Sequence, residues 1–321
     1  MPYRRLGVLI LAVVGLQGSA AAQSWPSKPI RAIVPFTAGS ASDIIARTAM
    51  EQLSIQLNQT IVVENRVGAG GTIGAAVAAK ADADGYTLLV DATAHTATPF
   101  LYKNLPFDMA KDFAAVAPIA SLPQVLVISP GKGIASAAEL VAAAKAKPGT
   151  ITYASGGIGS TTHLNAERFR LSAGFTGVHV PFRGGPEGLR EVMTGRVDFY
   201  FVTVLPALPF INEGKLAALA VSTAKRASLL PSVPTTLEAG YRDSEFNYWV
   251  GIFVPANTPR EVIQRLNQET VKAAQAPEMA AKLAKYGAEP MVMNQAEFDA
   301  FVAGEFVQGE KLIKTLGITA N

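Results

Sequence analysis

The sequence predicts an α/β protein that folds as two lobes, each a sheet flanked by helices. Short β-branched runs alternate with longer alanine-rich stretches of helical spacing, which is typical of βαβ units with a mostly parallel sheet. The alternation occurs twice, before and after Pro123, in a chain of 321 residues, which is long enough for about two domains. No low-complexity linker lies between the two series, so we expect two crossovers between the lobes.

The first series supplies the first part of lobe 1. Apolar residues recur at helical intervals after Ser42, which we predict to be the N-cap of the first helix. The predicted elements are the strand Ile30–Val34, the helix Ser42–Leu57, the strand Thr60–Glu64, the helix Ile73–Ala81 and the strand Tyr86–Val90. The segment from Asp108 to Phe113 is predicted to be a solvated turn.

The second series supplies lobe 2, and the chain then returns to lobe 1. The elements of lobe 2 are the strand Val125–Ser129, the helix Ser136–Lys145 with Ser136 as N-cap, the strand Thr150–Ser155, the helix Thr161–Ser172, the strand Val178–Pro181, the helix Glu187–Thr194, the strand Val197–Phe201, a turn after Ile211–Lys215 and the strand Ala217–Ser222. The returning elements are the strand Tyr248–Val254, the helix Pro259–Ala274 with Thr258 as N-cap, and the helix Ala296–Leu316. We therefore assign residues 23–123 and 248–321 to lobe 1 and residues 124–247 to lobe 2.

Composition narrows the possible functions. Hydrophobic residues make up 49% of the chain and charged residues 17%, which suits a packed core and argues against intrinsic disorder. A formal charge of +3 gives no electrostatic footprint for nucleic acid. The absence of cysteine excludes disulfides, thiolate metal sites and a cysteine nucleophile. The three histidines form no tight cluster with acidic residues, so we predict no metal and no cofactor.

The N-terminus has the features of a secretory signal peptide. Two arginines precede the apolar run Leu6–Leu16, and Ala20–Ala22 offers a small-residue cleavage site before Gln23. The apolar run is shorter than the ~20 residues that a membrane-spanning helix needs. We therefore predict an exported protein whose signal peptide, residues 1–22, is removed, and whose formal charge falls from +3 to +1 with the loss of the two arginines.

Two loops of one design follow strands in the two series. They span Pro35–Asp43 and Gly156–His163, and both are rich in glycine and small hydroxyl side chains and contain no Lys or Arg. In an open α/β sheet, ligands bind outside the carboxyl ends of the strands, and a helix N-terminus there carries about half a positive charge. Two such loops that face each other would hold an anion. Alternatively, both loops are ordinary βα turns with N-caps, which any α/β protein contains. The sequence leaves these two interpretations open.

Other motifs give weaker indications. Gly68–Gly74 suggests a dinucleotide loop, but its glycine spacing is one residue too long, and we interpret it as a tight βα turn. Ser160 with His163 would suit a hydrolase, but no nucleophile elbow is present, and we expect Ser160 to cap a helix. His95 either donates to an anion or satisfies loop carbonyls, whereas His179 is expected to pack within its strand.

A series of short motifs also runs through the chain from Trp25 onward. They are Val34–Ser40, Val63–Gly71, Asp84–Leu89, Tyr153–Ser155, Gly159-Ser160, His163-Leu164, His179–Gly184, Leu219–Val221, Pro231–Thr235 and Glu238–Gly240. Each is weak alone, but in this order they resemble the Bug-type extracytoplasmic solute receptors. These are the substrate-binding proteins of tripartite tricarboxylate transporters.

The resemblance implies a two-lobed periplasmic binding protein of the Venus-flytrap type, type II-like, that closes around a small carboxylate. It also implies that the two loops hold the carboxylate largely through backbone N–H groups and ordered water. The loop from Thr93 to Thr96 and the turn Phe182–Gly184 would line the remaining pocket. The ligand-binding candidates carried over from the family are Phe36, Thr37, Ala38, Gly39, Ser40, Asp43, Thr93, Ala94, His95, Ser155, Gly156, Gly159, Ser160, Thr161, His163, Phe182 and Gly184.

Two places depart from the family pattern. The first loop reads Thr37–Ser40 where the family usually has Pro-Ala-Gly-Gly, which adds two hydroxyls and removes the backbone freedom of one glycine. Family members often carry Asp-Asn where this chain has Val202 and Thr203, which we add to the candidate site. Without that acidic group we predict a ligand that lacks a cationic centre. It is either a di- or tricarboxylate or an aromatic carboxylate stacked near Phe36 or Phe182, although both rings would equally suit a lobe core.

The predicted function is that of a monomeric periplasmic receptor, without a catalytic step, that delivers a carboxylate to the membrane permease subunits of a tripartite transporter. One alternative is a sensory receptor of the same fold and ligand that signals to a membrane kinase. Another is a secreted hydrolase that uses Ser160 and His163. The sequence does not separate transport from sensing.

Overall fold

Two mixed β-sheets, each flanked by helices, organise residues 25–319, the part of the chain that the computed structural model describes. Each sheet forms a lobe with its helices, so the predicted two-lobed α/β fold class is confirmed. The predicted signal peptide, residues 1–22, and its cleavage site near Gln23 lie outside the described residues. Among the helices between residues 25 and 319, none combines the length and the apolar character needed to cross a bilayer.

The strands and helices are numbered along the chain. The strands are β1 (Ile30–Val34), β2 (Ile61–Asn65), β3 (Thr87–Ala92), β4 (Phe113–Leu122), β5 (Gln124–Ile128), β6 (Thr152–Ser155), β7 (Val178–Pro181), β8 (Phe199–Thr203), β9 (Ala217–Val221), β10 (Tyr248–Pro255) and β11 (Glu289–Pro290). The α-helices are α1 (Ala41–Leu57), α2 (Thr72–Ala79), α3 (Ala94–Leu101), α4 (Ala137–Ala146), α5 (Thr161–Ala173), α6 (Gly185–Met193), α7 (Val204–Asn212), α8 (Arg260–Gln275), α9 (Pro277–Lys285) and α10 (Gln295–Leu316).

Both sheets mix parallel and antiparallel pairs. The first sheet has the order β11-β4-β10-β3-β1-β2, and the second has the order β7-β6-β8-β5-β9. β1 is parallel to β2 and β3, whereas β10 is antiparallel to β3 and β4. β6 is parallel to β7 and β8, whereas β5 is antiparallel to β8 and β9. The expectation of mostly parallel sheets is therefore wrong, because the strands that enter or leave a lobe, β4, β5 and β10, run against their neighbours.

Four elements of more than two residues are absent from the sequence prediction, as is the two-residue strand β11. The helices α3 and α7 contain Pro99 and Pro209, which normally argue against a helix interior. The strand β4 is rich in alanine and contains Pro118, where its register with β10 shifts, so it lacks the usual strand signature. The short helix α9 is also missing from that prediction. In the first three elements, tertiary packing overrides a weak or contrary local preference.

Helix capping differs from expectation at two of four positions. Ser136 caps α4 and Ser160 caps α5, as predicted, each accepting a hydrogen bond from the N–H group three residues on. Helix α1 begins one residue earlier than predicted, and its cap is Ser40 instead of Ser42. Thr258 is not a cap, because its hydroxyl donates to the Pro255 carbonyl and α8 starts after Pro259.

Buried apolar side chains hold each lobe together and also join the two lobes. Trp249 and Phe253 lie in the core of the first lobe, and Phe169 lies in that of the second. Burial of one such side chain contributes roughly 1.5–3 kcal/mol. A smaller cluster unites Leu101 of α3 with Leu164 of α5, so it fixes α3 against the opposite lobe beside the crossovers.

Candidate ligand-binding cleft

A cleft of about 670 Å³ lies between the two lobes. The loop after β1 in the first lobe and the loop after β6 in the second line it, and they run into the N-termini of α1 and α5. Its volume falls within the range of about 300–1,000 Å³ that is usual for small-molecule sites. The two loops that the sequence singles out therefore face one cavity.

The first loop is held in shape by Asp43, which lies in the first turn of α1. Asp43 Oδ2 accepts a hydrogen bond from the Gly39 N–H group at 2.9 Å, and Arg47 Nε donates to both carboxylate oxygens at 3.0 Å. Asn65 Nδ2 donates to Asp43 Oδ1 at 2.8 Å and to the Phe36 carbonyl at 2.9 Å. The network ties the loop to the helix and to β2.

Asp43 positions the loop and does not face the cleft. Burial alone would raise the pKa of its carboxyl group, but the hydrogen bonds from Arg47, Gly39 and Asn65 outweigh burial and lower that pKa below its ordinary value. The side chain is 2% exposed and carries its charge against the Arg47 guanidinium. In the ligand-free protein, Arg47 therefore compensates the negative charge of Asp43.

The second loop satisfies most of its own backbone N–H groups. Gly156 donates to Thr162 Oγ1 at 2.9 Å, and Gly157 donates to Ser155 Oγ at 3.0 Å. Gly159 donates to His163 Nδ1 at 3.1 Å. These three N–H groups already have acceptors, so the donors available to a ligand lie further along, in the helix.

The first turns of α1 and α5 supply those donors. An α-helix leaves its first N–H groups without internal acceptors, and in both helices the serine N-cap satisfies the third of them. The remaining N–H groups belong to Ala41 and Ser42 in α1 and to Thr161 and Thr162 in α5, and all four residues line the cleft. The positive ends of both helix dipoles therefore point towards the same space.

Two stacked histidines support the second loop from behind. The rings of His163 and His179 lie 3.9 Å apart at 11°, and His179 Nε2 lies 2.6 Å from Ser155 Oγ. Burial, the neighbouring His179 and Arg170 lower the pKa of His163 to about 3, and burial lowers the pKa of His179 to about 4. Both rings are neutral at pH 7, which lets His163 Nδ1 accept the Gly159 N–H bond.

Ser160 and His163 do not form a nucleophile and base pair. The hydrogen bond between them runs from the His163 backbone N–H group to Ser160 Oγ at 3.3 Å. Ser160 Oγ donates to the Gly157 carbonyl at 2.7 Å, and His163 Nδ1 is occupied by Gly159. The prediction that Ser160 caps a helix is confirmed, and the arrangement offers no activated hydroxyl.

The structure brings most of the predicted site residues to the cleft. Those that line it are Phe36, Thr37, Gly39, Ser40, Gly156, Ser160, Thr161, Phe182, Gly184, Val202 and Thr203. Phe36 and Phe182 each pack partly on the core of their own lobe and also line the cleft. Ser40 adopts φ −70°, so serine in place of the family's glycine costs no backbone strain there.

The other candidates do not line the cleft. They are Ala38, Asp43, Thr93, Ala94, His95, Ser155, Gly159 and His163. Ser155, Gly159 and His163 support the second loop from behind, as Asp43 supports the first. The segment from Thr93 to Thr96, which was expected to line the pocket, instead lies at the start of the buried helix α3.

His95 belongs to the core of the first lobe. It is 1% exposed, its Nδ1 lies 3.1 Å from Asp91 Oδ2, and its ring stacks on Phe253 at 4.0 Å. Thr93 accepts a hydrogen bond from the Trp249 N–H group at 2.9 Å and donates to the Asn247 carbonyl at 3.2 Å. Thr93 therefore ties α3 to the segment through which the chain returns from the second lobe.

A third loop, Gly68–Gly71, lines the cleft and was not among the candidates. The glycine run predicts a tight turn, and the segment forms a turn that also lines the cleft. Gly70 has φ +64°, and a Cβ atom there would lie 2.6 Å from the Tyr102 hydroxyl and 3.1 Å from the Ile158 carbonyl of the second lobe. The lobes are therefore in close contact at this rim.

The cleft is almost free of charge. Of the side chains that line it within residues 25–319, only Arg183 is charged, and none is acidic. Val202 faces the cleft, as the argument from the missing aspartate requires. Two buried polar groups in the wall, Gln124 Nε2 and the Tyr200 hydroxyl, have no hydrogen-bond partner, and burial raises the pKa of Tyr200 to about 12. Over the same residues, no three His, Asp or Glu side chains are grouped to hold a metal ion.

Comparison with known proteins places the chain in a family. Residues 45–318 match the family described as the tripartite tricarboxylate transporter family receptor. Protein BugT of Bordetella pertussis is 31% identical over 311 residues, which cover 96% of this chain and 95% of BugT. The resemblance to Bug-type receptors is thereby confirmed.

Two solved structures are similar over almost their whole length. The R. palustris protein Rpa4515 with adipate is 33% identical, with a TM-score of 0.86, over 92% of this chain and 99% of that one. MatC of Rhodopseudomonas palustris with bound malate is 27% identical, with a TM-score of 0.82, over 90% of this chain and 100% of that one. The family that matches the chain is one of receptors, in agreement with the expectation of a function without a catalytic step. The chain belongs to the tripartite tricarboxylate transporter receptor family and is a solute-binding receptor.

Proposed function

We propose that this chain is a periplasmic receptor that captures a small carboxylate without an ammonium group and delivers it to a membrane permease. Relatives with adipate and with malate, both carboxylates, support the ligand class. The family and the predicted signal peptide support the periplasmic location and the permease as partner. The absence of acidic side chains among the described residues that line the cleft supports a ligand without a cationic centre.

The observation that carries this proposal is the opposition of two helix N-termini across one cleft. The first-turn N–H groups of Ala41 and Ser42 lie on one side, and those of Thr161 and Thr162 lie on the other. Bound between them, a carboxylate gains donors from both lobes and draws the lobes together. Asp43 and His163 act through the loops that they hold, as positioning residues.

The membership of the two sheets supports the proposed lobe boundaries. Residues 23–123 and 248–321 would move as lobe 1, and residues 124–247 would move as lobe 2. Support comes from the membership of the strands, since β5 to β9 form the second sheet and all other strands form the first. Pro123 and the segment at Asn247 would then form the hinge. Closure about this hinge would depend on the ligand, and the permease would recognise the closed lobes.

Proline substitution at the first helical position gives a sharp test, because it removes one backbone N–H donor where helices tolerate proline. In Ala41→Pro the donor faces the cleft, whereas in the control Ala137→Pro it lies at the start of α4, away from the cleft. Ser40 and Ser136 precede these positions in extended conformations that proline accepts. We expect Ala41→Pro to weaken carboxylate binding about tenfold, the value of one lost charge-assisted hydrogen bond.

The measurement is isothermal titration calorimetry of residues 23–321 with mono-, di- and tricarboxylates, aromatic acids and amino acids, with the matching amides as uncharged controls. At about 100 times its dissociation constant, a true ligand also stabilises the fold by about 2.7 kcal/mol, which a thermal-shift screen detects. Equal binding of an acid and its amide, or equal affinity in Ala41→Pro and Ala137→Pro, would contradict the helix clamp.

A further inference from the structure

Beyond the two helix N-termini, the walls of the cleft are mainly apolar and aromatic, with Gln124 and Thr203 as uncharged polar side chains among them. Six aromatic side chains from both lobes line it, namely Phe36, Tyr102, Phe182, Tyr200, Tyr248 and Tyr286. Aliphatic side chains fill the surface between them, among them Ile44, Val67, Ile158, Val202 and Leu205. The free energy of binding at such a surface is most favourable for a ligand that buries apolar area and offers a π-face to the rings.

The cleft is also large in a molecule whose lobes already touch. Its 670 Å³ would hold about twenty water molecules at ~30 Å³ each. The Tyr102 hydroxyl of lobe 1 donates to the Ile158 carbonyl of lobe 2 at 3.5 Å, and Thr37 Oγ1 lies 3.4 Å from the place where a Cβ of Gly184 would be. Because the rims are in contact, further closure reduces this volume little. A short aliphatic diacid would leave most of it filled with water.

The distribution of charge favours one carboxylate over two. The clamp formed by α1 and α5 serves one anionic group, and Arg183, an exposed residue, is the single charged side chain that lines the cleft in the described chain. A second carboxylate placed along the aromatic walls would lose its hydration without gaining a charged partner, which is costly. An uncharged ring in the same place has no charge to desolvate and avoids that cost.

We infer that the ligand is an aromatic monocarboxylate, whose carboxylate lies between the N-termini of α1 and α5 and whose ring lies among the aromatic side chains of the cleft. The inference rests on the proposed receptor function and narrows its ligand class. Val202 lines the cleft with an aliphatic side chain, so it keeps that part of the wall apolar for the ring.

The test measures dissociation constants of residues 23–321 for benzoate, phenylacetate and 3-phenylpropionate, compared with adipate and malate. Cyclohexanepropionate serves as the control of equal size without a π-face, and 3-phenylpropionamide serves as the control without charge. We expect the best aromatic acid to bind at least tenfold more tightly than adipate and malate, and more tightly than both controls.

Two variants of Val202 test whether the ring of the bound acid lies against this part of the wall. Val202→Asp places a negative charge in the apolar wall, and Val202→Asn places a neutral side chain of nearly the same size there. We expect Val202→Asp to weaken the best aromatic acid at least tenfold more than Val202→Asn does. Circular dichroism and the melting temperature of both variants check that they are folded.

The outcomes separate the two proposals. If adipate or malate binds more tightly than every aromatic acid, the aromatic inference is overturned and the carboxylate receptor stands. If no acid binds, and denaturation of the purified protein releases a ligand without a carboxylate, the receptor proposal fails as well. If no acid binds and the released ligand is an aliphatic acid, or nothing is released, the aromatic inference is again overturned.

Discussion

Two buried tyrosines of the second lobe differ in what their hydroxyl groups contact. The hydroxyl of Tyr153 donates to Glu167 Oε1, and the other oxygen of that carboxylate accepts from Arg170 at 2.7 Å. The hydroxyl of Tyr200, a residue with 0% exposure, has no hydrogen-bond partner among residues 25–319. An unpaired buried polar group costs about 1–3 kcal/mol, so removal of the two hydroxyls should have different effects.

We expect Tyr200→Phe to leave the free energy of unfolding unchanged or to raise it by ~1 kcal/mol, because it removes an unpaired group. Tyr153→Phe should lower it by ~1–3 kcal/mol, because the buried Glu167 loses a donor. Urea denaturation of the ligand-free protein, followed by circular dichroism, measures both. A loss in Tyr200→Phe as large as that in Tyr153→Phe would contradict the assignment of an unpaired hydroxyl.

At the residue scale, the sequence identified the loops better than the directions of their side chains. Glycines and small hydroxyls mark both loops, because these residue types suit tight turns and helix caps. Asp43, His95 and His163 point away from the cleft, since each finds a partner inside its own lobe, in Arg47, Asp91 and the Gly159 N–H group. All three partners lie four residues away along the chain, but which way such a pair faces is decided by packing.

At the scale of elements, the second loop depends on α5 and β7 through one pair of imidazoles. His163 on α5 and His179 on β7 must both be neutral for His163 Nδ1 to accept from Gly159 and for the two rings to stack. The charged or titratable groups near the pair are Arg170, Glu167 and Tyr153. Protonation of these imidazoles would therefore disturb the conformation of the second loop.

Acid should destabilise the fold through this pair before most carboxylates titrate. The folded-state pKa values, about 3 for His163 and about 4 for His179, lie below the ordinary value of 6.5, so the unfolded chain binds more protons in this range. Stability is then full above about pH 6.5 and is lost as the pH falls towards 4, by an amount on the order of a few kcal/mol.

Urea denaturation between pH 4.5 and 7.5 measures this slope. His163→Asn is the matched control, since the amide oxygen can replace Nδ1 as acceptor for the Gly159 N–H group but does not titrate. We expect the slope to be distinctly smaller in His163→Asn. An unchanged slope, or an NMR titration of His163 near pH 6.5 in the folded protein, would contradict the assignment.

The regular elements were predictable where local preference and packing agree. β1, α1 and β7 carry clear strand or helix signatures, and the structure has them within one residue of the predicted limits. Helices α3 and α7 and strand β4 lack such signatures because prolines or alanines occupy them. They form through contacts with distant parts of the chain, since β4 pairs with β10 and β11 and α3 packs against α10, and no local stretch of sequence records such contacts.

At the scale of the whole molecule, closure of the lobes depends on glycines at the rim. A Cβ at Gly70 would lie 3.1 Å from the Ile158 carbonyl, and one at Gly159 would lie 2.8 Å from Leu101 Cδ1. Both contacts cross from one lobe to the other. A Cβ at Gly70 would also lie 2.6 Å from the Tyr102 hydroxyl of its own lobe, which donates to the Ile158 carbonyl, so a methyl group there would disturb the contact between the rims.

We expect Gly70→Ala to weaken binding of the tightest acid at least tenfold by hindering closure. Gly133→Ala is the control, because Gly133 has a similar φ of +68°, against +64° at Gly70, but no atom within 4 Å of a Cβ. Both variants should lose about 1–2 kcal/mol of stability from the left-handed conformation. Calorimetric affinities that fall equally in both variants, or in neither, would contradict a role for Gly70 in closure.

The central claim is that one carboxylate lies between the first turns of α1 and α5. The most direct test is a crystal structure of residues 23–321 with the tightest acid bound. We expect the carboxylate oxygens within about 3 Å of the N–H groups of Ala41 or Ser42 and of Thr161 or Thr162, the usual distance of such hydrogen bonds. A carboxylate bound at Arg183 instead, with both helix N-termini left to water, would contradict the account.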